Sequence, residues 1–525
     1  MRRTGRLPFF LGVALASVGS RAGRTRQVAP ATVSYYRIQL SVQPETGSLD
    51  GAVTAVIQYD RAARSISLDA ASDLIVDSVI ADGRRVTPTR GRDVIRIPLA
   101  RPPTSGPLIA TVYYHGRPSS GLLFRQVDGA PVVASYGLPY SARHWWPSVD
   151  SPRRKADSAD IEVTVPDPLV VASNGLLRGR DAPTPGTHTY HWAVRYPIYP
   201  DVISVAIANY ACFTLHAHQT SGDSLPMTFF VYPKDSARAR IDFAVLPEIL
   251  TTYERLFGPY PFAREKYGVA EFPIASFREH QTLPSYGASF ITGDHRNDWI
   301  LAHELAHQWF GNSLSVGNWS DAWLNEGFAT YAAALWQEAA HGRKAYQDQM
   351  ATFRKGIPPG SLFVKDSLDL KDMFNEVTFQ KGAWVLHALR HVLGDSVFFA
   401  GLRAYITQHT YGNVTTEDFR HTLERTAGVE LGWFFEEWVY RQDLPRYSVH
   451  WEQQSDSAAL RVSIRQTQPS PFTFRMPLDV VVHRPAGDTA IVVTNAQRLQ
   501  EIVLVRIGKV TSVSLDPDSW VLTAE

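Results

Sequence analysis

Between Val33 and Phe213, apolar and polar residues alternate in a series of short runs. Tyr36 to Val42, Val53 to Tyr59 and Leu108 to Tyr114 all follow period two, the signature of half-buried strands. Turn-forming clusters such as Ala81-Asp82-Gly83 and Pro102-Pro103-Thr104-Ser105-Gly106 separate them. The pattern predicts an all-β domain over 30–217. From Ala237 the period lengthens. Apolar residues recur at helical spacing up to Phe257, where Gly258-Pro259 ends the run. Further helical stretches are predicted at 298–312, 321–341, 379–393, 396–408, 416–427 and 431–440, giving a mostly helical block over 218–443. Past Leu444-Pro445 strands return at 447–452, 459–465, 478–483 and 490–493, predicting a small β-sandwich over 446–525. The fold class expected is therefore multidomain α+β.

Composition adds little beyond confirming a globular chain. A formal net charge of +1 argues against a nucleic-acid partner, which would demand a concentrated basic surface. The first residues do change the picture. Arg2, Arg3 and Arg6 precede an apolar run from Leu7 to Val18 that is short for a membrane span, so 1–22 reads as a signal peptide. An exported protein, periplasmic or extracellular, is expected, with no integral membrane segment in the mature chain. The single cysteine, Cys212, excludes an intramolecular disulfide, and its apolar surroundings predict a buried structural thiol.

The chemistry lies in the second helical stretch. His303-Glu304-Leu305-Ala306-His307 places two imidazoles four residues apart, one above the other on one helix face, with Glu304 beside them. Two such histidines can share a cation, and catalytic zinc wants a third protein ligand and one open position. Glu326, on the next predicted helix, supplies that ligand. One zinc ion per chain is expected, held by His303, His307 and Glu326, with Glu304 as general base. Thr330 and Asp321 are candidate partners for the ligands, although most such residues only cap or solvate helices.

The segments His303-Glu304-Leu305-Ala306-His307-Gln308-Trp309-Phe310-Gly311-Asn312 and Trp323-Leu324-Asn325-Glu326-Gly327-Phe328-Ala329-Thr330-Tyr331 resemble the gluzincin aminopeptidases of family M1, the group of aminopeptidase N and leukotriene A4 hydrolase. Ala142 to Pro152 with Lys155-Ala156, and Phe434 to Val439, extend the resemblance over most of the chain. It implies an N-terminal β domain, a thermolysin-like catalytic domain and a β-sandwich. It also implies peptide substrates, whose N-terminal residues are removed by zinc-activated water, and it casts Glu279 as the anchor for the substrate's α-amine.

Two positions depart from the family pattern. Leu138 stands where a second amine contact is usual, and Phe379 replaces the tyrosine whose hydroxyl steadies the oxyanion. Loss of one such donor costs about 10²–10³ in turnover. His280 and Tyr286 are candidates to replace it. A weakly active or inactive peptide-binding relative, or a hydrolase of N-blocked peptides, therefore stands as the alternative. Oligomeric state and side-chain preference are not encoded in any recognisable pattern.

Overall fold

The computed structural model describes residues 31–60, 62–99, 106–136, 139–365, 373–453 and 459–524. The expected signal peptide and Leu138 lie outside these residues. The N-terminal region is built on an eight-stranded mixed sheet with Thr32–Gln43 near its middle, antiparallel to Ser48–Gln58 and parallel to Ser158–Pro166. The alternation read from sequence sets its faces: Tyr36, Ile38, Leu40 and Val42 are buried, and Arg37 points outward to Glu162. A four-stranded sheet and the fully buried Trp145 and Trp146 close the same core.

Ala211–His218, expected within the N-terminal β domain, pairs with Ser224–Val231 in a separate five-stranded sheet. Its Phe213 and Ala217 are buried in the catalytic core. Cys212, between the inward positions, is exposed, which corrects the expectation of a buried thiol. Pleating turns successive residues to opposite faces, and Cys212 has the outer one. The sheet continues through Tyr267–Phe272 and Ser285–Gly287 to the two-residue edge strand Phe277–Arg278, which delivers Glu279 to the site.

Helix α1 (Leu246–Phe257) packs on this sheet, and α2 (Asp298–Ala306), α3 (Trp323–His341), α4 (Arg343–Arg354) and α5 (Gly382–Leu393) pack on one another around α3. Helix α4 was not among the predicted stretches, yet its buried Tyr346, Met350 and Phe353 have the spacing of one helix face. A π-helical turn, Val377–Lys381, leads into α5. Helices α3 and α5 meet without side chains between them. A Cβ built on Gly327 would lie 2.9 Å from the Gly382 Cα.

The C-terminal region consists of two three-stranded sheets, one centred on Leu460–Gln466 and the other on Met476–His483. Leu460, Val462 and Ile464 bury their side chains, as do Met476, Leu478, Val480 and Val482, and all join the catalytic core. Among the described residues no helix is long and apolar enough to cross a membrane.

Candidate metal centre

Helix α2 ends at Ala306, but His307 keeps helical dihedrals and its N–H still bonds to the His303 carbonyl. The two histidines therefore retain their i, i+4 relation, with Nε2 atoms 3.0 Å apart. Helix α3 begins at Trp323, so Glu326 falls in its first turn, and the Gly327–Gly382 contact seats that turn against α5. Glu326 Oε2 lies 3.6 Å from His303 Nε2 and 3.4 Å from His307 Nε2. Donors about 2.0–2.1 Å from a tetrahedral zinc stand about 3.3 Å from one another, so this triangle has the size the ion requires.

The outer nitrogens support the same use. His307 Nδ1 faces the Phe310 carbonyl at 3.0 Å, and His303 Nδ1 lies 3.5 Å from Thr330 Oγ1. Such partners fix the ring and leave Nε2 to bind metal. Thr330 thus stands where the sequence placed it. Asp321 does not: its carboxylate accepts from the N–H and hydroxyl of Thr416.

Three carboxylates, Glu279, Glu304 and Glu326, are buried around the two imidazoles. Burial raises Glu304 to about 8 and Glu279 well above the usual range. Burial also lowers His303, to about 4. It would lower His307 too, but the charges of Glu279 and Glu326 outweigh it and lift that imidazole to about 10. These carboxylates and imidazoles crowd one buried space, a donor set suited to a metal cation. Both Glu304 oxygens are buried without a hydrogen-bond partner among the described residues, as a general base awaiting water would be.

Glu279 follows the edge strand. Its Oε2 lies 3.2 Å from His307 Nδ1, its buried Oε1 has no hydrogen-bond partner among the described residues, and Asn312 Nδ2 holds its carbonyl at 2.9 Å. Arg278 turns away, stacking on the Tyr136 ring at 4.2 Å and donating to Ser276 Oγ. Phe379 stacks on the His303 ring, 6.0 Å between centroids. With Phe277, Trp299, Thr330 and Phe353 it lines a largely apolar cavity of about 540 Å³. His280 Nδ1 is engaged with Ser285 Oγ at 3.1 Å, whereas the buried Tyr286 hydroxyl has no partner among the described residues.

The sequence profile of the Peptidase family M1 domain matches residues 268–438, and that of the Peptidase M1 N-terminal domain matches residues 32–198. The chain belongs to peptidase family M1. Aminopeptidase N of Streptomyces lividans is 27% identical to this M1 chain over 374 residues, 65% of this chain and 42% of that protein. Legionella pneumophila aminopeptidase A, solved with aspartic acid, shares the fold at a TM-score of 0.82 and 17% identity, covering 94% of this chain and 59% of that one. A Deinococcus radiodurans M1 zinc metallopeptidase, solved with a Tyr-Ser-Ala substrate, gives 0.69 at 24% identity, covering 79% of this chain and 96% of that one. The M1 chain spans between 36% and 50% of the lengths of such curated relatives.

Several residues that hold the M1 site were not singled out from sequence. Gln308 Oε1 accepts from the Thr282 N–H at 2.8 Å, steadying the segment after Glu279. Lys155 Nζ reaches across from the N-terminal region to the carbonyls of Asn312 at 2.8 Å and Ser313 at 2.6 Å. Both lie inside segments that carried the resemblance, so a signal existed.

Proposed function

We propose that the protein is an exported zinc-dependent aminopeptidase holding one zinc ion per chain on His303, His307 and Glu326. The observation that carries this reading is Glu279, set against His307 with one carboxylate oxygen unpaired among the described residues. An ammonium held there is within one residue's reach of the metal ligands, so the carbonyl presented for attack is that of the first residue. Zinc, when bound, supplies Lewis acidity that lowers the pKa of water and polarises the scissile carbonyl. Glu304 takes the proton from the attacking water and passes it to the leaving amine. The apolar walls around Phe277, Phe353 and Phe379 exclude bulk water and strengthen these charges. Support for export comes from Arg2, Arg3, Arg6 and the apolar run that follows.

The test is turnover of aminoacyl amides by the zinc-loaded protein. Glu304→Gln is expected to lose about 10²–10⁴-fold in kcat with zinc content unchanged. Normal turnover by that variant rejects the general-base assignment. Cell fractionation of the full chain tests export.

Phe379 favours a second reading. Its ring brings no hydroxyl to the oxyanion, which fits a weakly active peptide-binding relative, while Leu138, in place of a second amine contact, fits a hydrolase of N-blocked peptides. Cleavage of N-acetylated peptides faster than free ones would select the latter.

A further inference from the structure

Tyr199 is only 1% exposed, and its hydroxyl has no hydrogen-bond partner among the described residues. Leaving a buried hydroxyl unpaired costs about 1–3 kcal/mol, so each case asks for an explanation. Burial, and then the charges of Glu279, Asp201 and Glu326, hold its proton in place, so it is a neutral phenol. Glu279 offers the counterpart, a buried oxygen equally without a partner.

The position of Tyr199 is fixed from two sides. It precedes the 3-10 turn Pro200–Val202. Asn174 Nδ2 donates to the Val202 carbonyl at 2.9 Å and to the Gln281 carbonyl, while Asn174 Oδ1 accepts from the Ser204 N–H at 2.7 Å. One side chain thus ties the Tyr199 turn to backbone two residues beyond Glu279. On the other side, Asp201 accepts from the N–H groups of Tyr140 at 2.7 Å and Ser141 at 2.6 Å. The turn that bears Tyr199 is thereby tied to the segment that follows Glu279.

We infer that the Tyr199 hydroxyl is a second contact for the substrate's α-ammonium group, accepting one of its N–H bonds beside Glu279. The inference rests on the aminopeptidase reading above. An ammonium has three donors, and one carboxylate oxygen leaves at least one of them wanting. A neutral hydroxyl supplies an acceptor without adding charge to a pocket that already holds three carboxylates.

The test is calorimetric binding of L-leucinamide and N-acetyl-L-leucinamide to zinc-loaded wild type and Tyr199→Phe, with kcat and KM on leucine p-nitroanilide. A hydrogen bond to a charged group is worth about 10–150-fold in affinity. Tyr199→Phe should therefore bind leucinamide at least about 10-fold more weakly and N-acetyl-leucinamide unchanged. KM should rise more than kcat falls, and the melting temperature should hold or rise. Equal leucinamide binding by variant and wild type, or an equal loss for both ligands, overturns the inference alone. A wild type that binds both ligands alike overturns the aminopeptidase reading, and the inference with it.

Discussion

Phe379 and Glu304 sit on opposite sides of the energetic question at this site. Among the described residues both Glu304 oxygens lack a hydrogen-bond partner, and burial raises the carboxyl's proton affinity. Phe379 presents a ring stacked on His303 where a donor would help. If the missing hydroxyl limits turnover, Phe379→Tyr should raise kcat by up to about 10² with KM little changed, measured on aminoacyl amides. An unchanged kcat would mean that the oxyanion is served from elsewhere, with the unpaired Tyr286 hydroxyl the first group to remove. The ligand set makes its own prediction: Glu326→Ala should abolish stoichiometric zinc binding by atomic absorption. Retention of one zinc per chain would remove Glu326 from the set. The convergence of His303 and His307 was legible in sequence because a helix converts a spacing of four into a shared face. Tyr199 was not, because its turn is tied to the Glu279 segment through Asn174, far away along the chain, and no local period marks such a link.

Among the elements, the long helices and the longer strands could be read from their periods, and the exceptions have physical causes. Phe277–Arg278 is too short for alternation to declare itself, yet it places Glu279. Ala211–His218 has the same alternation as the strands before it, and nothing in that pattern says which sheet it joins. Helix α3 shows how an element can serve the site through its packing. Gly327 follows Glu326 and touches the Gly382 backbone of α5. Alanine is intrinsically better in a helix by about 1 kcal/mol, but here its methyl meets backbone that cannot step aside. Gly327→Ala should lower stability by about 1–3 kcal/mol in denaturant unfolding and weaken zinc binding through displaced Glu326. A variant of raised stability would show that the helices separate at no cost.

At the scale of the whole molecule, the three regions are joined by specific contacts. Lys155 links the N-terminal region to the loop after α2, and Trp520 of the C-terminal region stacks on His387 of α5 at 4.6 Å. His387 Nε2 donates to the Ser519 carbonyl at 3.0 Å, and its Nδ1 accepts from the Tyr346 hydroxyl. Burial lowers this imidazole from 6.5 to about 3, so the folded protein keeps it neutral. The unfolded chain binds a proton near pH 6.5, and the folded chain does not until far lower. Stability from this group is complete above that range and falls as pH drops towards 3. Between pH 7 and 5 the loss is about 2 kcal/mol. In the zinc-free protein, His387→Gln should show a smaller drop in unfolding free energy over that interval than wild type. An equal drop would place the acid sensitivity in other groups. The division into β, helical and β regions was legible from the change of period, whereas these bridging contacts join residues that no short window contains.

The glycine contact between α3 and α5 also bears on heredity. Both partners already have the smallest side chain available, so a bulkier residue at either one cannot be relieved by trimming the other. A genetic screen for suppressors of Gly327→Ala should therefore recover changes that let a whole helix shift, and none at position 382.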